Sequence, residues 1–146
     1  MKRYLLDVNA LLAFMDPSHI HHEPFHEWLE RKGEVTLMLC SHVENGVIRV
    51  ASNPAYKNWL GSAAQVRAEV KNLAVDIQAA RCARDVSLCD DSLLTSPDSL
   101  TPSRVSDLYL LALAVANGVK FATFDTRIPA AAVAGGPAAL EIIPVA

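Results

Sequence analysis

Short apolar runs that give way to helix-patterned segments recur along this chain, and that alternation admits few folds. Arg3 to Leu6 stops at Asp7, and Asn9 opens the helical pattern Ala10-Leu11-Leu12-Ala13-Phe14. Val35 to Cys40 is apolar but for one Thr, as a strand buried on both faces must be, and Val47, Ile48 and Ala51 follow at helical spacing. Phe121 to Phe124 and Leu140 to Ile143 read as further strands, with Val86 to Cys89 a short one before them. Parallel neighbours need a helical return. The pattern therefore predicts an α/β fold: a three-layer α/β/α domain whose mostly parallel sheet has four or five strands in the order 3-2-1-4-5. With 146 residues, 51 % of them apolar, the expectation is one domain over residues 1–146.

Between the strands, Pro24 with Phe25, Trp28 and Leu29 predicts an amphipathic helix ending near Gly33. Ser41 is placed to cap a helix that carries Glu44 and ends at Asn53-Pro54. Lys57 to Ala83 predicts one long or two short helices, with Trp59 and Leu60 packed. Asp90 to Ser103 reads as a loop, and Ala130 to Ala139 as another with at most one helical turn. Leu108 to Asn117 is apolar almost all round, hence a buried helix, started by Thr101 or Ser103 and closed by Gly118.

Several classes drop out on composition. The longest apolar stretch, Leu108 to Ala116, falls short of the roughly 20 residues that cross a bilayer, so a soluble cytoplasmic protein is expected. Cys40, Cys82 and Cys89 are odd in number and lack C-x-x-C spacing, which indicates free thiols. A net charge of −3 offers no general attraction to phosphate, so any nucleic-acid contact needs a local basic patch or a metal. No G-x-S-x-G elbow or G-K-[ST] phosphate loop is present.

Four acids stand where apolar runs meet helical patterns: Asp7, Glu44, Asp107 and Asp125. In the predicted strand order Asp7 and Asp125 end neighbouring strands at the switch point, where open α/β sheets place their ligands. Glu44 and Asp107 lie in first turns of helices and are expected at the same edge. Singly, each acid also suits a helix cap, a dipole partner or a turn. Together they repel, by roughly 3 kcal/mol per pair at about 5 Å and an effective dielectric near 20. Either the acids share protons at raised pKa values or a divalent ion sits among them. Oxygen-only ligands suit Mg²⁺ or Mn²⁺, which can activate water against a phosphodiester. Asn9 and Thr123 are supporting candidates, as caps or as groups that orient a bound water. Asp90 and Asp91 follow another predicted strand, but adjacent side chains diverge. His19, His21, His22 and His26 read as a solvated helix entrance rather than a metal cluster.

With those residues placed, the chain resembles PIN-domain proteins, and closely the VapC toxins of type II toxin–antitoxin pairs. The resemblance runs from Leu5 to Pro144. It rests on Leu6-Asp7-Val8-Asn9, Asp16-Pro17 before His19, Glu44-Asn45-Gly46 with Ile48-Arg49-Val50 and Asn53-Pro54, Ser106-Asp107 with Leu108 to Ala114, and Ala122-Thr123-Phe124-Asp125. It implies a Mg²⁺- or Mn²⁺-dependent endoribonuclease with Asp7, Glu44, Asp107 and Asp125 as its catalytic and metal-binding quartet. It also implies a homodimer and a small antitoxin whose C-terminal segment lies across the groove, with an arginine at the acids. Cleavage by metal-activated water would leave 5′-phosphate and 3′-hydroxyl ends. Arg49 is the first candidate for RNA contact, with Lys57, Arg104 and Arg127 behind it. Two rivals belong to other classes: a non-catalytic module whose acidic groove takes a basic peptide, and a phosphatase or phosphoacceptor, which lacks its D-x-D-x-T run here.

Overall fold

In the computed structural model, residues 2–145 are described. Strands β1 (Lys2–Leu6), β2 (Val35–Leu39), β3 (Ala80–Arg81), β4 (Lys120–Thr123) and β5 (Leu140–Ile142) form one sheet in the order β3-β2-β1-β4-β5. Every neighbouring pair is parallel, as the alternating pattern predicts. The chain leaves β1 toward β2 and β3, then returns to the other side of β1 as β4 and β5, so β1 and β4 flank the switch point.

Among the described residues six helices make the returns: α1 (Val8–Met15), α2 (His22–Lys32), α3 (Ser41–Ala51), α4 (Ala63–Asp76), α5 (Val105–Ala116) and α6 (Gly136–Ala139). Right-handed crossovers put α1 to α4 on one face of the sheet and α5 and α6 on the other. The contacts agree: α1 touches α2 and α3, α3 touches α4, and α5 packs on α6. Tyr4, Phe25, Trp28 and Phe121 are the largest side chains of the core, with the Tyr4 and Trp28 rings edge to face at 5.0 Å. The Trp28 indole donates to Glu141 at 3.1 Å, tying α2 to β5. Where α3 crosses the start of α1 the approach is close at a glycine: a Cβ at Gly46 would lie 2.6 Å from Val8 Cγ2, so the Val8 side chain would have to shift.

Some expectations need correcting. Val86 to Cys89 is not a strand: its N–H groups are taken locally, Val86 by Asp85 Oδ1 and Cys89 by Ser87 Oγ, so no ladder forms. The third strand is Ala80–Arg81, delivered by Gln78, which turns the chain at φ 51° just after α4. The Lys57 to Ala83 region holds one long helix, α4, one of the two arrangements expected there, opened by a capping box between Ser62 and Gln65. Trp59 is 52 % exposed, its indole donating to the Ser52 carbonyl, rather than packed. Ser41 is the first residue of α3 and its hydroxyl accepts from Arg81 instead of capping. Arg104, ending a 3₁₀ turn from Pro102, is the residue that precedes α5, in place of Thr101 or Ser103. Gly118 follows that helix at φ 65°, as expected.

Candidate active site

A parallel sheet brings the ends of its strands to one edge. Asp7 follows β1, Asp125 lies just past β4, and the register of Leu6 with Ala122 makes these two termini neighbours. Asp107 enters from the first turn of α5. Asp7, Asn9, Val50, Ser106, Asp107 and Asp125 line a cleft of about 370 Å³.

Asp7 forms its floor. It caps α1, with Oδ1 accepting the Ala10 N–H at 2.7 Å, and Oδ2 accepts the Thr123 hydroxyl at 2.5 Å. Burial, with 7 % of the residue exposed, pushes its carboxyl up to about 6. The Thr123 and Ala10 bonds oppose that rise, and the charges of Asp107 and Asp125 add to it. Thr123 is fully buried and works in two directions, donating to Asp7 and accepting the Asp125 N–H at 3.1 Å.

Asp107 and Asp125 are bridged by one guanidinium. Arg104 Nη1 lies 2.9 Å from Asp107 Oδ2 and 2.8 Å from Asp125 Oδ2. Burial works against the charge on Asp125, but the Arg127 N–H and then Arg104 outweigh it and hold the carboxyl below its ordinary range. The Arg127 side chain, 81 % exposed, stays farther off at 3.5 Å.

Glu44 does not join these three in the cleft. It lies in the first turn of α3 but points to β3, where Arg81 grips both its oxygens at 2.8 and 2.9 Å. The expected convergence of four is thus a group of three with the fourth held by Arg81. Asn9 stands exposed at the mouth, its Oδ1 bound to His19 Nε2 at 2.9 Å. His19 Nδ1 accepts the His21 N–H, so the proton sits on Nε2 and Asn9 is the acceptor. Arg49 and Lys57 are exposed, and Asp90 lies away from the cleft in a turn closed by Ser92. His22 and His26 rings lie 4.4 Å apart at i, i+4, yet His22 Nδ1 is taken by the Ala13 carbonyl.

A hard divalent cation suits this donor set in kind, since the cleft offers carboxylate oxygens with no thiolate or imidazole among them. The guanidinium between Asp107 and Asp125 shows that the position calls for positive charge. As the side chains stand, no three Asp, Glu, His or Cys among the described residues are gathered to hold a metal ion.

Two features escaped the sequence. Arg104, named in the sequence only as a candidate RNA contact, is bound to Asp107 and Asp125, a role legible in part because its i, i+3 spacing to Asp107 is a helix-surface pairing. Asp16, which caps the far end of α1, is buried and accepts from Tyr56 at 2.9 Å, Asn58 at 2.8 Å and the Ser18 N–H at 2.9 Å. Its Asp-Pro pairing signals only a turn.

The sequence profile of the PIN domain matches residues 4–134. Ribonuclease VapC44 of Mycobacterium tuberculosis is 35 % identical over 141 residues, covering 91 % of this chain and 93 % of the relative. Ribonuclease VapC38 of the same organism is 37 % identical over 128 residues, covering 85 % and 86 %. Among solved structures, a chain of VapBC2 from Rickettsia felis, bound to a DNA fragment from their promoter, superposes with a TM-score of 0.58 at 16 % identity, over 87 % of this chain and 93 % of that one. At that identity the likeness speaks for the fold alone. With a parallel sheet in the order 3-2-1-4-5, acids at its switch point and relatives of this similarity over nearly its whole length, the chain belongs to the PIN-domain family, among the VapC proteins.

Proposed function

We propose that this protein is a metal-dependent endoribonuclease, the toxin of a toxin–antitoxin pair, with Asp7, Asp107 and Asp125 holding Mg²⁺ or Mn²⁺ and Glu44 at the margin of the site. The observation that carries the reading is the meeting of three carboxylates in one cleft at the sheet's switch point, one of them buried with its pKa raised to about 6. The ribonuclease relatives support RNA as the substrate. When bound, such an ion supplies a Lewis acid that makes a water nucleophilic near neutral pH and steadies charge on phosphate oxygens.

The remaining roles belong to the chain. Thr123 fixes one oxygen of Asp7 and the Ala10 N–H the other, so the carboxylate cannot rotate away from the cleft. His19 occupies the carbonyl oxygen of Asn9, which leaves the amide N–H groups as donors for a phosphate oxygen. Arg49 is one residue from Val50 in the cleft wall and is the first choice for the RNA backbone, with exposed Arg127 beside Asp125, whereas Lys57 adjoins Asn58, which binds Asp16 at the other end of α1. The seat that Arg104 takes between two carboxylates supports an antitoxin that offers a basic segment to the same groove.

Incubating purified protein with RNA in Mg²⁺ or Mn²⁺, against a chelator control and Asp7→Asn, tests the reading. Cleavage that needs the ion and is lost in the variant is the expected result. A fully active Asp7→Asn would overturn it. Metal-independent binding of a basic peptide with no cleavage of any RNA would favour the non-catalytic alternative, which the Arg104 contact also fits.

A further inference from the structure

Arg104 is a cation that the chain itself supplies at the cleft, seated on two of its carboxylates. Its Nη1 contacts one oxygen of Asp107 and one of Asp125 at once, so the space between the two carboxylates is filled by the chain itself. The side chain reaches this seat from the surface: it is 18 % exposed, and its residue ends a 3₁₀ turn that follows a largely exposed loop. A guanidinium and a divalent ion seated on the same two oxygens crowd one another, and like charges at that range repel strongly. Arg127 supplies a natural contrast, being near the same carboxylate but almost wholly in solvent, at 3.5 Å.

We propose that Arg104 is an internal latch on the site: its guanidinium holds the place between Asp107 and Asp125, and divalent metal enters only as Arg104 leaves. This rests on the metal-nuclease reading above. The latch keeps the carboxylates paired and the rim ordered without metal, and it sets a threshold ion concentration below which the cleft stays closed to the ion. An Arg to Lys exchange is not conservative here, because an ammonium presents a point charge where a flat guanidinium lies between two acceptors.

The test is a Mn²⁺ titration of the full chain, followed by calorimetry at fixed ionic strength, for the wild type, Arg104→Gln, Arg127→Gln and Asp125→Asn. Arg104→Gln is expected to bind Mn²⁺ about ten-fold more tightly or better, Arg127→Gln to stay within about three-fold of the wild type, and Asp125→Asn to bind more weakly. Equal gains in both arginine variants would reduce the effect to general charge and overturn the latch. So would unchanged affinity in Arg104→Gln while the wild type binds. Absence of Mn²⁺ binding in every variant, wild type included, would remove the metal reading itself. A second measurement needs no stable Arg104→Gln: the Arg104 side-chain Nε–H resonance of the wild type, assigned through Arg104→Lys, should shift and lose exchange protection as Mg²⁺ is added. A signal unmoved at saturating Mg²⁺ would also overturn the proposal.

Discussion

Two buried aspartates close the two ends of α1, and they behave in opposite ways. Asp7, at the N-terminus, has its pKa pushed up to about 6, while Asp16, at the C-terminus, is held below its ordinary value. The helix dipole acting alone would give the reverse, favouring negative charge at the N-terminus. Partners decide instead. Burial raises both, but Asp16 has Asn58, the Ser18 N–H and Tyr56 to offset it, with His19 adding a favourable charge. Asp7 has two donors and faces two further carboxylates. One aspartate is fully satisfied and fastens the fold. The other is left short of partners, as a carboxylate reserved for a cation and substrate must be.

The sharpest way to break this comparison is to neutralise each residue in turn. Asp7→Asn is expected to lower RNA cleavage at least ~10³-fold, about 4 kcal/mol of barrier, while the chain stays folded, because Asn caps a helix as well as Asp. Asp16→Ala strands the Tyr56 hydroxyl and the Asn58 amide, so it should cost about 2–4 kcal/mol of stability in a urea melt. Preserved stability in Asp16→Ala would mean that the network is ornamental and the contrast empty.

The effect of pH sharpens the same contrast. A carboxyl whose folded pKa is raised binds its proton more tightly folded than unfolded, so the fold is favoured at low pH and loses that favour as pH rises through the folded value. For Asp7 the window runs from the ordinary carboxyl value of 3.8 to about 6, which corresponds to about 3 kcal/mol at most. In metal-free buffer Asp7→Asn should match the wild type near pH 4 and be about 1–3 kcal/mol more stable at pH 7.5. Asp16 runs the other way: its stabilisation is present above its unfolded pKa and fades as pH falls through its lowered folded value. Stability curves of the wild type and Asp7→Asn that stay parallel across pH 4 to 7 would show that Asp7 titrates as an ordinary carboxyl.

Much of the site could be read from the chain because its determinants are local. A run of apolar residues ending at an acid, then a helical pattern, places Asp7 and Asp125 at strand ends whatever the rest of the fold does. Their adjacency followed from the crossover rule and the order of elements. What stayed hidden depends on distant partners. Asp16 takes its donors from 40 and 42 residues away, so an Asp-Pro pair could not announce a buried network. Glu44 was placed at the right edge, but Arg81, which holds it, sits on a two-residue strand too short to carry a pattern. That strand depends on the turn at Gln78, a residue with no reputation for positive φ. The bridge from Arg104 to Asp107 was available in the spacing, and the bridge to Asp125 only in space.

The smallest expected effect probes why Asp7 is not more perturbed than it is. Among the groups that lower its pKa, the Thr123 hydroxyl comes first, and the same hydroxyl accepts the Asp125 N–H. Thr123→Val keeps shape and removes both bonds, so the Asp7 carboxyl loses a donor to its charged form while its burial is unchanged. In the metal-free protein, a carboxyl ¹³C titration of Asp7 should then move upward by about one half to one unit, equivalent to roughly 1 kcal/mol. Asp16 shares no partner with Thr123 and should titrate as before, which makes it the internal reference. An Asp7 midpoint that fails to rise would mean that water replaces the hydroxyl as donor, and that Thr123 plays no part in the difference between the two aspartates.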